Sequence, residues 1–395
     1  ASSSYNCFNI IHKIYYIVIL SFWFNMKILN KYTYLFLGIV LLGVLILFAI
    51  IPNFETQEFN PDKVQNVSEN LTTNTTINSN TLEGNLDSTT PVITEAEKSE
   101  IEKLLINNEA SIDINGFKSY LLIGSDERDE NSSASRGFVE GKRADVIIIG
   151  LINETTDNHY LLSIPRDTLI MNSCTENLER INGSYSKNEC GNNAENLAAA
   201  VKVITGIRID HFASFNFEGF ENIIDSFNGI EICVEDTQKE GYSFELQKGC
   251  QTVDGSTALN WVVSRNTEVL VGEKVLDKNG EDASEWKKMD GVSDLTRNER
   301  QQYVILQLLK RLSDFQSLAE LNNFINTLED SFVIDDNLTL NKAINTLWNF
   351  RNLDFSKINK HSIPTSAYEL EDGRQVLIIS ENFSLHAEEI GLISS

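Results

Sequence analysis

The chain has 395 residues, which is more than one typical domain needs, and 57 acidic against 32 basic side chains give it a formal charge of −25. Such a surface repels polyanions and carries no basic run suited to DNA, which excludes direct nucleic-acid recognition. Five histidines in all, and cysteines without zinc-type spacing, argue against a His- or Cys-based metal site.

Residues 1–33 read as a cytoplasmic N-terminus. They include a short, interrupted apolar stretch, Ile14 to Phe24, and Met26, which opens MKILNKYTYLFLG as a natural start would. The run from Tyr34 to Ile51, YLFLGIVLLGVLILFAII, is apolar and free of charge. As a helix it nearly crosses a hydrocarbon layer of roughly 30 Å. Lys27 and Lys31 precede it, and Glu55, Glu58 and Asp62 follow it. The positive-inside bias therefore predicts one anchor over 34–51 in the cell membrane, retained rather than cleaved, with everything after Pro52 extracytoplasmic.

Residues 52–111 are predicted to be a flexible stalk. The part over 53–95 is rich in Asn, Thr and Ser and holds too little apolar surface to offset its ordering entropy. Glu95 to Asn108 fits a short helix at its end. The globular part is expected from residue 112. FKSYLLIGSD, ADVIIIGLI and HYLLSIPRD read as three strands of one sheet, whose tips carry Asp126, Asp145, and Arg166 with Asp167. A helix is expected over 195–205, ending before Gly206, followed by strand, helix and strand over HFASFNFEGFENIIDSFNGIEICV with Gly229 as the helix stop. A helix or buried element is expected over 258–264 and a helix over 298–312, with a solvated loop or lid between Arg265 and Asp294. Helical patterns and a strand-like VLIIS make 313–395 a C-terminal portion of the same domain. The alternation argues for an α/β domain, helices packed on a sheet.

Four cysteines follow the anchor, close in sequence as Cys174 with Cys190 and Cys233 with Cys250, while Cys7 precedes it. Outside a reducing compartment four thiols suggest two disulfides. Three connectivities are possible, and the two local pairs are expected.

Arginines recur in short motifs: Arg143 in KRAD, Arg166 in SIPRD, Arg265 in VVSRN, and Arg297 with Arg300 in DLTRNERQQ. Guanidinium forks fit phosphate oxygens bidentately and keep their charge at physiological pH. Taken singly, each reads as half of a surface ion pair; together they point to one site for a small, dense anion. Arg297 and Arg300 lie three apart on a helix and so share a face.

In order, LLIGSDER, KRADVIIIG, LLSIPRDTLI, RINGSYS, GIRIDHF, NFEGFENIIDSFNGIEICV, VDGSTALNWVVSR and DLTRNERQQ resemble the LytR-CpsA-Psr family of bacterial cell-envelope proteins, over residues 117–312. The resemblance implies a layered α/β/α domain with a central mixed sheet, a catalytic domain over 112–312, and an apolar channel for the tail of a polyprenyl (pyro)phosphate. It implies a phosphotransferase that moves a phosphate-linked glycopolymer from that lipid to peptidoglycan. By the same resemblance Asp126 and Asp145 hold a metal, Mg²⁺ or Mn²⁺. Arg143, Arg166, Arg265, Arg297 and Arg300, with Gln301, bind the pyrophosphate, and Asp126, Asp145, Arg166 and Arg265 carry the catalysis. One departure stands out. The family shows two arginines one residue apart at the end of ALxYxRxR, whereas here Val263 takes the first place and only Arg265 remains. One phosphate ligand is therefore missing, or is replaced by a residue such as Lys287 or Lys288 of the neighbouring segment.

Blander readings stand beside these. Asp126 with Arg128 and Asp145 with Arg143 would serve as loop-ordering ion pairs, Asp294 as a helix cap, and Phe217, Phe220, Ile223 and Ile224 as core. His211 is the one tempting base for the acceptor hydroxyl. Two other functions keep the same residues: hydrolysis of the lipid diphosphate by water, and lipid binding without catalysis, the latter favoured by Val263.

Overall fold

The computed structural model describes residues 55–60, Ile101, Leu105 and 112–393, leaving out 115, 127–141, 154, 157, 173–176, 187–191, 290–293 and 351–353. A short strand, β1 (Thr56–Gln57), comes first. The three apolar runs then form β2 (Phe117–Ser125), β3 (Ala144–Asn153) and β4 (His159–Ser163), rich in the side chains that pack well on a pleated surface. A hairpin of β5 (Leu169–Met171) and β6 (Leu178–Arg180) leads to α1 (Asn193–Thr205). This helix starts on a capping box in which Asn192 accepts from the Glu195 N–H and Glu195 accepts from the Asn192 N–H. It stops at Gly206, at φ 70°, whose N–H donates to the Lys202 carbonyl.

Next come β7 (His211–Asn216), α2 (Phe217–Ser226), β8 (Ile230–Val234), β9 (Gln238–Glu240), β10 (Phe244–Leu246) and β11 (Gly249–Val253). Asp254 caps α3 (Gly255–Val263) by accepting from the Thr257 N–H. The chain continues through β12 (Glu268–Val271), β13 (Glu285–Lys288), α4 (Asp294–Arg311), α5 (Leu318–Asn326), β14 (Val333–Asp335) and α6 (Leu340–Phe350). Strands β15 (Asn359–Ser362), β16 (Thr365–Glu369) and β17 (Gln375–Ile379) and helix α7 (Phe383–Glu389) end it.

The central sheet has seven strands in the order β1-β14-β7-β2-β3-β4-β15. It is mixed: β2–β3, β3–β4 and β14–β7 run antiparallel, and β2–β7, β4–β15 and β1–β14 parallel. One face buries Leu121, Ile123, Ile147, Ile149 and Leu151 against α1 and α7; the other turns Leu122, Val146 and Ile148 toward α4. The alternation along β3 is what lets one strand feed two helical layers.

Three expectations change. Residues 56–60 are not stalk. β1 pairs with β14, Phe59 is buried with its ring 5.3 Å from that of Phe212, and Asn337 donates to the Phe59 carbonyl. Hydrophobic and ladder contacts distant in sequence order a segment whose composition is polar. Second, the segment between Arg265 and Asp294 is no bare loop. β12 and β13 pair, and β12 also joins β9, so a four-stranded sheet β10-β9-β12-β13 takes the place of the expected solvated loop. Third, 313–395 supplies two strands of the central sheet, β14 and β15, which its helical patterns did not announce.

Cys233 and Cys250 face each other across β8 and β11 and are joined, Cα atoms 4.0 Å apart. Cys174 and Cys190 lie outside the described residues, as do Cys7, the anchor over 34–51, Arg128, and the side chain of Asp294. Among the described residues no helix is long and apolar enough to cross a membrane.

Candidate active site

The antiparallel pairing of β2 and β3 sets the end of one beside the start of the other. Gly124 pairs with Val146, but Ser125 pairs with Ala144, so Asp145 is the extra residue of a bulge. A bulge breaks the two-residue alternation. Without it Asp145 and Val146 would point to opposite faces; with it both line the same cavity. Gly124 is required there, since a Cβ would lie 2.8 Å from the Val146 side chain.

β4 then delivers Arg166. The Ile164 N–H still donates to Ile147, and after it Pro165 accepts both the Thr168 N–H and hydroxyl, closing a tight turn. Arg166 donates to the Asp145 carboxylate in a short, charge-assisted contact. Its Nε sits 3.7 Å from Asp167, too long for a hydrogen bond, and is shut from solvent without an acceptor. Asp167 also meets Arg180 at 3.3 Å and Arg297 of α4 at 3.9 Å. Three guanidiniums thus face two carboxylates in one partly buried cluster, an arrangement that favours a further anion.

Arg297 is almost wholly buried. Its guanidinium is pushed down to about 10 by desolvation, then by the charge of Arg166, with Asp167 and Asp145 working against the shift. It stays protonated at neutral pH. Gln301, one turn on, lines the cavity with Asp145. Its neighbour Gln302 faces the other way: the side-chain amide donates to the Leu161 and His361 carbonyls and the Ser163 hydroxyl, tying α4 to β4 and β15.

The other expected residues are placed differently. Asp126 accepts the Arg143 N–H at 2.9 Å, while the Arg143 side chain is exposed. Asp145 pairs with Arg166, not with Arg143. Arg300 shares the helix but not the cluster. It donates to the Trp261 carbonyl and the Thr267 hydroxyl and stacks 5.1 Å from the Trp261 ring, and burial also pushes it down to about 10. Three positions along a helix put it on the same side as Arg297, yet the end of α3 takes its donors. Arg265 is exposed just beyond α3, and Lys288 reaches its neighbour Asn266 at 3.2 Å. Val263 lines the cavity beside Asp145 as an apolar side chain.

His211 does not belong here. It pairs with Tyr120 at the far end of β2, five residues from Ser125, which is roughly 17 Å along the strand. Its Nδ1 lies 3.2 Å from both carboxylate oxygens of the buried Asp335. Conversely, Arg180 joins the site unannounced, and its only sequence signal was its place at the head of RINGSYS.

A narrow cavity lies beside Asp145, next to a wider one. The narrow part is lined by Phe217, Phe220, Val263 and Ile305, and Phe215 and Ile305 are shared with a wider void of about 320 Å³ between the sheet and α4, α5 and α6. That void is lined almost wholly by apolar side chains, Leu122, Ile223, Leu309, Ile325 and Leu347 among them. Of the four apolar residues of α2 expected as core, Ile224 is fully buried and Phe217 and Phe220 pack against the same core while also lining the narrow cavity, and Ile223 lines the wider void. Asp126 and Asp145 offer hard carboxylate oxygens at adjoining strand ends, a donor set that fits Mg²⁺ or Mn²⁺.

The sequence profile of the LytR_cpsA_psr family matches residues 79–273 and 264–389. LcpB of Corynebacterium glutamicum, a probable cell wall biosynthesis protein, is 31% identical over 156 residues, 38% of this chain and 36% of that protein. TagU of Bacillus subtilis, a polyisoprenyl-teichoic acid–peptidoglycan teichoic acid transferase, is 24% identical over 256 residues, 65% of this chain and 69% of that protein. The chain thus spans about a third of the first relative and about two thirds of the second. The crystal structure of Bacillus subtilis TagV is similar at a TM-score of 0.51 and 21% identity, over 69% of this chain and 94% of that one, a likeness of fold.

Proposed function

The chain belongs to the LytR-CpsA-Psr family, and from that premise we propose that it transfers a glycopolymer to peptidoglycan from a polyprenyl diphosphate carrier. The observation that carries the reading is the adjacency of one charged cluster and apolar cavities: Asp145 bonds Arg166 and also lines the narrow cavity, which shares Phe215 and Ile305 with the void beneath α4. A diphosphate ester of a long hydrocarbon needs both. The names of LcpB and TagU support envelope glycopolymer chemistry.

In this reading the lipid tail lies in the cavity and the diphosphate faces Arg166, Arg180 and Arg297. The Arg166 Nε, which lacks an acceptor, donates to a phosphate oxygen. Gln301 adds a neutral donor, and Arg143, Arg265 and Lys288 contribute positive charge from the rim, where Val263 is apolar. Arg300 acts at one remove, holding the end of α3 under Arg265. Asp126 and Asp145 would hold Mg²⁺ or Mn²⁺, which neutralises charge on the diphosphate oxygens. The acceptor hydroxyl attacks the sugar-side phosphorus, the bond to the bridging oxygen breaks, and polyprenyl phosphate leaves with the hydroxyl proton taken up by its freed phosphate oxygen. The charge-free run over 34–51 supports a domain tethered outside the cell membrane, next to both substrates.

The test is turnover of a synthetic polyprenyl-diphosphate glycan with a peptidoglycan oligomer and varied Mg²⁺. Metal-dependent attachment of glycan phosphate to the oligomer is expected, with loss on removing Asp126 and Arg166 together. Released sugar phosphate without attachment would make the protein a hydrolase, and tight lipid binding without turnover a carrier protein.

A further inference from the structure

Away from this cluster, three side chains with metal-ligand chemistry converge near His361 of β15. His386 lies on α7, Glu389 is one turn further, Glu381 sits just before the helix, and His361 projects from β15. The His386 Nδ1 is 3.4 Å from Glu381 and 3.9 Å from Glu389. One ligand atom from each of these three residues lies within 4.8 Å of the others. A tetrahedral ion with bonds of about 2.1 Å has ligand-to-ligand edges of about 3.4 Å, so the spacing is near that of a filled site. The ring of His361 is 6.0 Å from that of His386, nearly perpendicular to it.

A second observation singles out His386. Both of its ring nitrogens are shut from solvent, and neither makes a hydrogen bond. The approach of Glu381 at 3.4 Å is close enough to attract but is not aligned as a hydrogen bond. Buried imidazole nitrogens without partners are costly, and a metal ion satisfies one where water cannot reach. Two carboxylates and neutral imidazole carry two negative charges, the complement of a divalent ion. Glu389 is 76% exposed, which leaves an entry path.

We infer that Glu381, His386 and Glu389, with His361 as the nearest further ligand, form a structural site for a divalent transition metal of the Zn²⁺ type. Mixed nitrogen and carboxylate donors suit Zn²⁺ better than Mg²⁺. The ion would clamp α7 to β15. β15 pairs with β4, and the His361 carbonyl accepts from Gln302 of α4, so the clamp would brace the strand that leads to Arg166. The inference does not depend on the transferase reading.

The experiment is calorimetric titration of the tag-free, metal-stripped full chain with Zn²⁺, repeated with Co²⁺ to read the visible bands of a four-coordinate ion. One equivalent is expected to bind, with an affinity about 100-fold lower or less in His386→Gln and Glu389→Gln. Since Glu389 is exposed, its variant keeps the fold. No stoichiometric binding, or binding unchanged in Glu389→Gln, would overturn the site. So would binding that disappears in Asp145→Asn and survives in Glu389→Gln, because the ion would then sit in the diphosphate cluster.

Discussion

Asp145 shows how a single extra residue in a ladder makes chemistry. The bulge turns it from the face packed on α1 to the face that holds the cavity, where it meets Arg166. Asp145→Asn keeps the shape and removes the charge, so transfer should fall by about 100-fold or more in a steady-state assay. Arg297 poses the opposite trade. A cation pushed down to about 10 by burial is less welcome in the fold than in the unfolded chain. The sign follows from that: the charged form is the penalised one, so the cost is fully present at every pH below about 10. Arg297→Met should therefore raise the melting temperature at pH 7 by a few degrees, from about 1–3 kcal/mol, while weakening diphosphate binding. A melting scan and a binding titration on one sample check both halves.

At the scale of elements, close backbone approach explains two glycines that sequence alone leaves unexplained. A Cβ on Gly219 would sit 2.0 Å from the Ser331 carbonyl oxygen, and one on Gly255 would sit 2.4 Å from that of Glu221. Gly255→Ala would push α3 off α2 and cost about 1–3 kcal/mol, read as a lower denaturation midpoint. The Cys233–Cys250 link closes a loop of sequence separation 17 at the root of β8 and β11. Replacing both cysteines by serine should cost about 3 kcal/mol, and a reductant should mimic the effect in the unmodified chain. Ile305 lines both the narrow and the wide part of the cavity. Ile305→Trp should raise KM for a long-chain donor several-fold and leave a short-chain, water-soluble analogue unaffected.

For the whole molecule, the net charge of −25 and the buried arginines act on different ligands. Long polyanions would meet the acidic surface, whereas the compact diphosphate of the proposed donor would meet the local cluster. Partly buried pairs are screened less than exposed ones, so raising NaCl from about 0.05 to about 0.5 M should weaken diphosphate binding by only about 3–10-fold. A larger loss would mean that rim charges, not Arg166 and Arg297, hold the anion.

Periodicity carried the sequence reading far. The three strands from 117 to 167, the helix before Gly206, and the strand, helix and strand ending past Gly229 all form where apolar spacing and stop residues placed them. These are local choices, made within a few residues by side-chain period and backbone conformation. The motif order likewise sufficed for the family. Which arginines meet is a different kind of fact. Arg180 enters and Arg300 turns to Trp261 because of how α3, α4 and the β5–β6 hairpin pack. The bulge at Asp145 depends on register with β2, and residues 56–60 are ordered by a partner strand more than 270 positions later. Each is a long-range pairing, which no local pattern encodes, so only the tertiary structure decided it.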